Sequence, residues 1–275
     1  MINRIEIDFA LPVELTIDEM RAEAADEENE MTNDSALHWL PRITALGLPV
    51  PRTHVIALDY QKMYPIFDGQ PCSAFTKLIA DVQDYCAKRG TPLFVRTDLS
   101  SAKHSGPKGY LLDGKNNVGQ VLFELLKHHE MTKFMGSDPQ ALLLREFLNL
   151  DHKFTAFHGL PIAREWRLFA DAEKCHCWHF YWPDEALEGH IQENVIGLVE
   201  TLWKYRKYPR GLAGTYLKQC AVNAAGVCAE GTPVANWSVD FARDVSGKWW
   251  LIDIATAKHS WHPECPKRVE VGGDE

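Results

Sequence analysis

The sequence predicts an α+β fold in which two β-sheets face each other across a cleft. Helical and strand patterns alternate through the first half of the chain, and antiparallel hairpins dominate the second half. This succession is typical of α+β proteins. The chain has 275 residues, of which 45% are hydrophobic, so it can bury a substantial core as one large domain or two closely joined lobes.

The first half consists of helices that lead into strands. Gly47 is placed to end the first helix, and Pro49 and Pro51 hold the chain extended before the first strand. The spacing of apolar residues predicts, in chain order, a helix over 39–46, a strand over 54–58, a helix over 75–88, strands over 93–96 and 110–112, and a helix over 117–129.

The second half consists mainly of hairpins. The segment 171–174 is predicted to be the turn of one hairpin, and Ser246 and Gly247 supply the turn of the last one. The predicted elements are a buried strand over 141–147, strands over 162–170 and 176–181, an amphipathic helix over 191–205, and a hairpin of strands 237–241 and 249–254.

Charge and hydropathy argue against two classes of function. The formal net charge is −9, which disfavours binding of nucleic acid, because neutralising phosphates requires lysine and arginine. No apolar stretch is long enough to span a bilayer, and residues 1–8 lack the apolar region of a signal peptide. We therefore expect a cytoplasmic protein that binds neither a membrane nor a nucleic acid.

Two acidic residues of the last hairpin are candidate metal ligands. Asp240 and Asp253 each interrupt an otherwise apolar strand, and in an antiparallel hairpin such positions can lie opposite each other. Two ionised carboxylates in an apolar setting repel each other and lose solvation, and a magnesium ion would relieve both costs. The alternative is that one acid caps a turn or pairs with an arginine such as Arg167.

Cations in the middle of the chain are candidates for binding phosphate. Alternation places Glu165 and Arg167 on one face of a strand, and a planar guanidinium matches phosphate oxygens; a surface ion pair is the alternative. Arg96 ends a strand, and Lys103 follows in a loop over 97–109 that is rich in serine and glycine. Such a loop can close over phosphates or be an ordinary surface loop, and it lacks the GxxxxGK(S/T) spacing of a P-loop.

Two further patterns each have a functional and a structural interpretation. The apolar strand over 141–147 runs into polar residues and can present backbone groups to the edge of an adenine ring, or it is simply a core strand. Cys175, Cys177 and His179 would share one face of a strand and suit a soft metal ion. Free thiols in a reducing compartment are the alternative interpretation of the cysteines.

The order of these segments resembles the ATP-grasp superfamily. Residues 47–53 resemble its GxPvPkT segment, and residues 93–96 resemble the strand that carries its first nucleotide-binding cation. Within the superfamily, the likeness is greatest to the cell division cycle protein 123 (D123) group and related phage-type proteins. In that group, residues 165–169 resemble the EFRxF segment and residues 251–254 resemble LiDfN; the whole likeness covers residues 40–258.

This resemblance implies an ATP-grasp-type fold of two α+β lobes with ATP and Mg²⁺ in the cleft between them. Arg167 is the expected catalytic residue, and Asp240 and Asp253 are the expected magnesium ligands. The nucleotide-binding residues implied by the resemblance are Arg96, Ser101, Lys103, Arg145, Glu146, Phe147, Leu148, Glu165 and Arg167.

The resemblance also divides the chain into three expected units. These are an N-terminal subdomain over 1–90, a lid-like subdomain with the phosphate loop over 91–145, and a C-terminal subdomain with the magnesium-binding hairpin over 146–275.

For activity, the resemblance implies an ATP-dependent carboxylate–amine or carboxylate–thiol ligase that works through an acylphosphate. Its substrate would be a small-molecule or peptide carboxylate. The alternative is a D123-like ATP-binding factor that assembles a protein client without ligase turnover. Two features favour this alternative: Ala255 stands where a metal-binding Asn is usual, and the segment 25–30 is acidic. An end-modifying enzyme for nucleic acids or peptides ranks lowest, because nothing resembles the KxDG nucleophile.

Overall fold

The computed structural model describes residues 32–103, 106–132, 138–187, 190 and 207–263. These residues form two four-stranded sheets and one two-stranded sheet, with helices packed on them, so the α+β prediction is confirmed. The helix predicted over 191–205 lies outside the described residues. Among the described helices, none combines the length and the apolar character required to cross a bilayer.

The first sheet comes after the N-terminal helix in the chain, and one face of it packs in a hydrophobic cluster with two helices. The elements are α1 (Ala36–Ala45), β1 (Thr53–Ala57), α2 (Ser73–Arg89), β2 (Leu93–Thr97), β3 (Leu111–Leu112), α3 (Val118–Thr132) and β4 (Ala141–Glu146). The strands are antiparallel in the order β1–β4–β2–β3. Leu142 and Leu144 of β4 pack with Val82 of α2 and Leu122 of α3. Because side chains alternate along a strand, Arg145 faces the other way, towards the second sheet.

The second sheet is formed later in the chain. The remaining elements are β5 (His152–Ala156), β6 (Leu160–Ala163), β7 (Glu165–Ala170), β8 (Cys175–Phe180), α4 (Asp184–Leu187), α5 (Leu212–Ala229), β9 (Trp237–Arg243) and β10 (Trp249–Thr256). The second sheet is antiparallel in the order β10–β9–β7–β8, and β5 and β6 form the small hairpin. Short 3₁₀ segments lie at Tyr60–Asp68, Pro107–Gly109 and Ala257–His259.

The two faces of the second sheet have different roles. Trp166 and Leu168 of β7 are buried in a core shared with α1 and α5. Alternation therefore turns Glu165 and Arg167 to the opposite face, as predicted, and β9 presents Asp240 on that face in the same way. We call this the cleft face.

The strand predicted over 162–170 is two strands. The backbone N–H of Arg164 donates to the carbonyl of Asp151 at 3.0 Å, and the carbonyl of Arg164 accepts from Arg243 at 3.1 Å. The chain therefore changes partners at Arg164, leaving the small hairpin and entering the second sheet. The first sheet combines β1 with strands beyond residue 90, and the subdomain boundaries at 90 and 145 stay a prediction.

Candidate functional site

A cleft lies between the two large sheets, beside the segment that joins β4 to β5. Its lining includes four charged side chains, Lys103, Arg145, Glu146 and Glu165. The apolar part of the lining includes Phe94, Tyr110, Phe147, Leu148, Leu160, Trp182 and Ile252. An apolar wall with a few convergent charged groups is typical of a ligand-binding site.

A β-bulge in β10 turns Asp253 towards the cleft. Leu251 pairs with Phe241 and Asp253 pairs with Asp240, which leaves Ile252 as an extra residue between them. In strict alternation Asp253 would follow Leu251 into the core. The bulge lets Leu251 remain in the core while Asp253 lies on the cleft face beside Asp240. The two acids are therefore cross-strand neighbours.

Each of these acids forms an ion pair with an arginine. Arg167 binds Asp240 through two parallel hydrogen bonds: Nε donates to Oδ1 and Nη2 donates to Oδ2, each at 2.8 Å. Nη1 of Arg96 lies 2.8 Å from Oδ1 of Asp253, so this pair joins the first sheet to the second. Asp240 is buried, whereas the side chain of Asp253 is 39% exposed.

Lys103 and Glu165 form a second, looser pair inside the cleft. Their Nζ and Oε2 atoms are 3.6 Å apart, which exceeds hydrogen-bond distance. Burial raises the pKa of Glu165, and the nearby charge of Lys103 only partly opposes this effect. Burial alone would lower the pKa of Lys103, but the charge of Glu165 raises it. The ammonium lies over the rings of Tyr181 and Trp182, at 4.2 and 4.9 Å from their centroids, and stays protonated at neutral pH.

Arg145 is a buried cation with unused donors. Its Nη1 donates to the carbonyl of Ile252, the extra residue of the bulge, at 2.7 Å. Its Nε and Nη2 have no hydrogen-bond partner among the described residues. Burial, and then the charge of Arg96, lower the pKa of Arg145 to about 9. A buried cation with unsatisfied donors is destabilising by itself, and a bound anion would relieve that cost.

The other predicted nucleotide-binding residues take different positions. Phe147 and Leu148 line the cleft, as does Glu146, which also forms an exposed ion pair of 3.1 Å with Arg52. Ser101, at the start of the loop that carries Lys103, does not contribute to the lining of the cleft.

The sequence interpretation missed an aromatic pair. The rings of Tyr181 and Trp182 form cation–π contacts with the ammonium of Lys103. The centroid of the Tyr181 ring also lies 4.8 Å from the guanidinium carbon of Arg167. The available signal was weak, because two aromatic residues at the end of a predicted strand are also typical of ordinary core packing.

The prediction that Cys175, Cys177 and His179 share one face of a strand is wrong for Cys175. The register of β8 against β7 shifts between Phe169 and Ala170. Cys175 therefore packs against the core shared with α5, whereas Cys177 packs with Phe169 on the cleft face. The register pairs His179 with Arg167, which also faces the cleft.

The two sheets and the cleft between them agree with the ATP-grasp-type fold that the sequence predicts. In particular, the fold of the chain is similar to that of C-terminally truncated Cdc123 from Schizosaccharomyces pombe. The match covers 83% of this chain and 85% of that one, with a TM-score of 0.51 and 13% identity. Similarity at this level of identity establishes the fold.

Two further solved structures are more distant. The ATP-grasp ligase PsnB, complexed with a minimal precursor, matches 84% of this chain at a TM-score of 0.40 and 14% identity. A RimK domain ATP-grasp protein from Sphaerobacter thermophilus matches 81% at a TM-score of 0.41 and 12% identity. The matches cover only 53% and 58% of these two chains. No protein-family model matches the sequence, and no curated protein is detectably similar to it.

Proposed function

We propose that this chain binds ATP together with Mg²⁺ in the cleft between its two large sheets. One observation carries the proposal: the buried guanidinium of Arg145 has two donor atoms without a hydrogen-bond partner in the part of the chain that the structure describes, and it lines the same cleft as the apolar residues Phe147 and Leu148. A phosphate would satisfy such donors, and a purine ring would pack on the apolar wall. The nearby cations Arg96, Lys103 and Arg167 would bind the remaining phosphate oxygens.

The acids of the cleft fit a magnesium ion. Magnesium prefers a few carboxylate oxygens together with phosphate oxygens and water, and Asp240 and Asp253 are cross-strand neighbours. These two residues would hold the ion, which when bound would neutralise charge on the transferred phosphoryl group. Ala255, two residues further along β10, lies opposite Ser238 and offers no side-chain ligand.

The proposed activity is ATP-dependent ligation of a carboxylate to an amine or a thiol. The carboxylate of a small molecule or peptide would attack the γ-phosphorus of ATP, which gives an acylphosphate and releases ADP. The amine or thiol would then attack the carbonyl carbon, lose its proton and displace phosphate. Arg167 would be the catalytic residue, because a guanidinium fixed on the cleft face can stabilise charge that develops on the transferred group.

A protein-assembly factor is the second candidate function. In this case ATP would shape a surface for a protein client without ligase turnover. Two observations favour it: both candidate magnesium ligands are occupied by arginines, and position 255 provides no ligand. ATP binding without turnover, in the presence of a range of amine and thiol acceptors, would favour the assembly factor over the ligase.

Calorimetry of ATP binding, with and without Mg²⁺, tests the shared part of both proposals. We expect Mg²⁺-dependent binding that the double variant Asp240→Asn/Asp253→Asn weakens at least tenfold, about 1.4 kcal/mol. Asp81→Asn/Asp84→Asn removes the same charge from the exposed face of α2 and should leave binding unchanged. No binding by the parent protein, or equal losses in the two double variants, would overturn the proposal.

A further inference from the structure

A second group of metal-binding side chains lies on the cleft face at the edge of the second sheet. The ligand atoms of Cys177, His179 and His262 all lie within 4.8 Å of one another. Cys177 and His179 are two residues apart on β8, and His262 comes from the segment that follows β10. The Sγ atom of Cys177 and the Nε2 atom of His262 are 3.1 Å apart.

This spacing suits a single ion. Zinc binds sulfur at about 2.3 Å and imidazole nitrogen at about 2.0–2.1 Å, so tetrahedral ligand atoms lie roughly 3–4 Å from one another. The Cys177–His262 distance is already in that range, and small rotations of the imidazoles would close the remaining gaps. Two histidines and one cysteine also form a ligand set that prefers zinc or a similar transition metal to calcium or magnesium.

An aromatic ring packs on the two histidines of this group. The ring of Phe169 packs against both imidazoles, at 4.5 Å from the ring of His262 and 6.0 Å from that of His179.

We propose that Cys177, His179 and His262 bind a zinc-type divalent transition-metal ion. Three protein ligands leave one of four tetrahedral positions open to water or a substrate atom. The thiol of Cys177 loses its proton to solvent when the sulfur–metal bond forms, so one proton is released for each ion bound. Cys175, which lies on the opposite face of β8, takes no part.

The ion would also connect the C-terminal segment to the cleft. The register pairs His179 with Arg167 and pairs Arg167 with Asp240, so the metal site continues the row of charged side chains across the sheet. Nη1 of Arg167 donates to the carbonyl of Trp261 at 3.3 Å. A metal on His262 would fix this carbonyl, and with it the position of Arg167. The site itself does not depend on nucleotide binding.

Titration with Co²⁺ tests the site without nucleotide. The full-length protein is stripped of metal with a chelator, and the thiolate-to-cobalt charge-transfer band is followed in the near ultraviolet. We expect one Co²⁺ per chain, displaced by Zn²⁺. Cys177→Ser should abolish the band, and His262→Ala should weaken binding by at least about 100-fold, since even second-shell changes cost 10–100-fold.

The matched control is Cys175→Ser, which removes a thiol two residues away and should leave the band and the affinity unchanged. Circular dichroism checks that each variant is folded. If Cys177→Ser does not fold, His262→Ala, outside the strands, carries the test. The absence of a charge-transfer band in the parent protein, its persistence in Cys177→Ser, or its loss in Cys175→Ser would each overturn the proposal.

Discussion

Several charged side chains of the candidate site are buried, and their ion pairs contribute little to folding. Removing two charges from water costs more than their attraction returns unless their geometry is excellent. The Arg167–Asp240 pair is bidentate, but Lys103 and Glu165 remain 3.6 Å apart. Within the described ranges, no acid is a hydrogen-bond partner of Arg145. Lys103, Glu165 and Arg145 therefore leave polar atoms that a bound ligand could satisfy.

The Lys103–Glu165 pair allows a prediction about stability. Lys103→Met should reduce the free energy of unfolding by about 3 kcal/mol at pH 7, because it leaves a buried carboxylate without its cation. Glu165→Gln in the same chain should restore most of the loss. Burial raises the pKa of Glu165, and a raised folded-state pKa adds stability at low pH that is lost as the pH rises through it. The deficit of Lys103→Met should therefore shrink between pH 7 and pH 5.

Urea unfolding at the two pH values measures this effect. Lys88→Met is the control, because it removes a lysine from an exposed ion pair on α2 and should change stability by less than about 0.5 kcal/mol. A deficit of Lys103→Met that is independent of pH, or that Glu165→Gln does not reduce, would contradict the assigned role of Glu165.

At the scale of elements, the sequence pattern predicts the strands better than their connections. Simple alternation predicts that Glu165 and Arg167 share one face of a strand, and the structure agrees. The direction of Asp253 depends on the bulge at Ile252, and a local pattern of apolar residues contains no signal for an extra residue. The register shift that turns Cys175 away from Cys177 is a property of the pairing between β7 and β8, which the pattern of β8 alone does not contain.

Helix α5 was not predicted, and its composition explains why. Its buried face consists mainly of small residues with helical spacing, Gly214, Leu217, Cys220, Ala221, Ala224, Ala225 and Cys228. Alanine, glycine and cysteine give a weak apolar contrast with the exposed face, so the periodicity that marks an amphipathic helix is faint. The small side chains let α5 pack closely on the second sheet.

Two glycines of α5 should respond in opposite ways to substitution by alanine. A Cβ atom at Gly226 would make ordinary contacts of 3.7 Å with Ala172. Gly226→Ala should therefore stabilise the protein by roughly 0.5–1 kcal/mol, the usual gain for replacing a helical glycine. A Cβ atom at Gly214 would lie 2.1 Å from the carbonyl oxygen of Pro209, so Gly214→Ala should destabilise it by more than 1 kcal/mol. Thermal unfolding measures the change in melting temperature of each variant. Equal changes in the two variants would contradict the packing of α5.

At the scale of the whole molecule, the candidate site exists only because two sheets meet. Arg96 and Arg145 belong to the first sheet, whereas Asp253 and the carbonyl of Ile252 belong to the second. Arg96 and Asp253 approach to 2.8 Å, and Arg145 lies 2.7 Å from the carbonyl. These partners are more than 100 residues apart in sequence. Sequence patterns identified the residues, but only the packing of the sheets determines which ones pair.

A ligand in this cleft should therefore stabilise both sheets together. ATP with Mg²⁺ at 100 times its dissociation constant should raise the free energy of unfolding by about 2.7 kcal/mol. Hydrogen exchange followed by mass spectrometry should slow in β2 and β4 and also in β9 and β10, because the proposed phosphates on Arg96 and Arg145 and the proposed magnesium ion on Asp253 would connect the two sheets. In the Asp240→Asn/Asp253→Asn variant, ATP with Mg²⁺ should no longer slow hydrogen exchange in β9 and β10. Protection confined to one sheet in the parent protein would mean that the nucleotide binds outside the cleft, since a ligand between the sheets must restrict both.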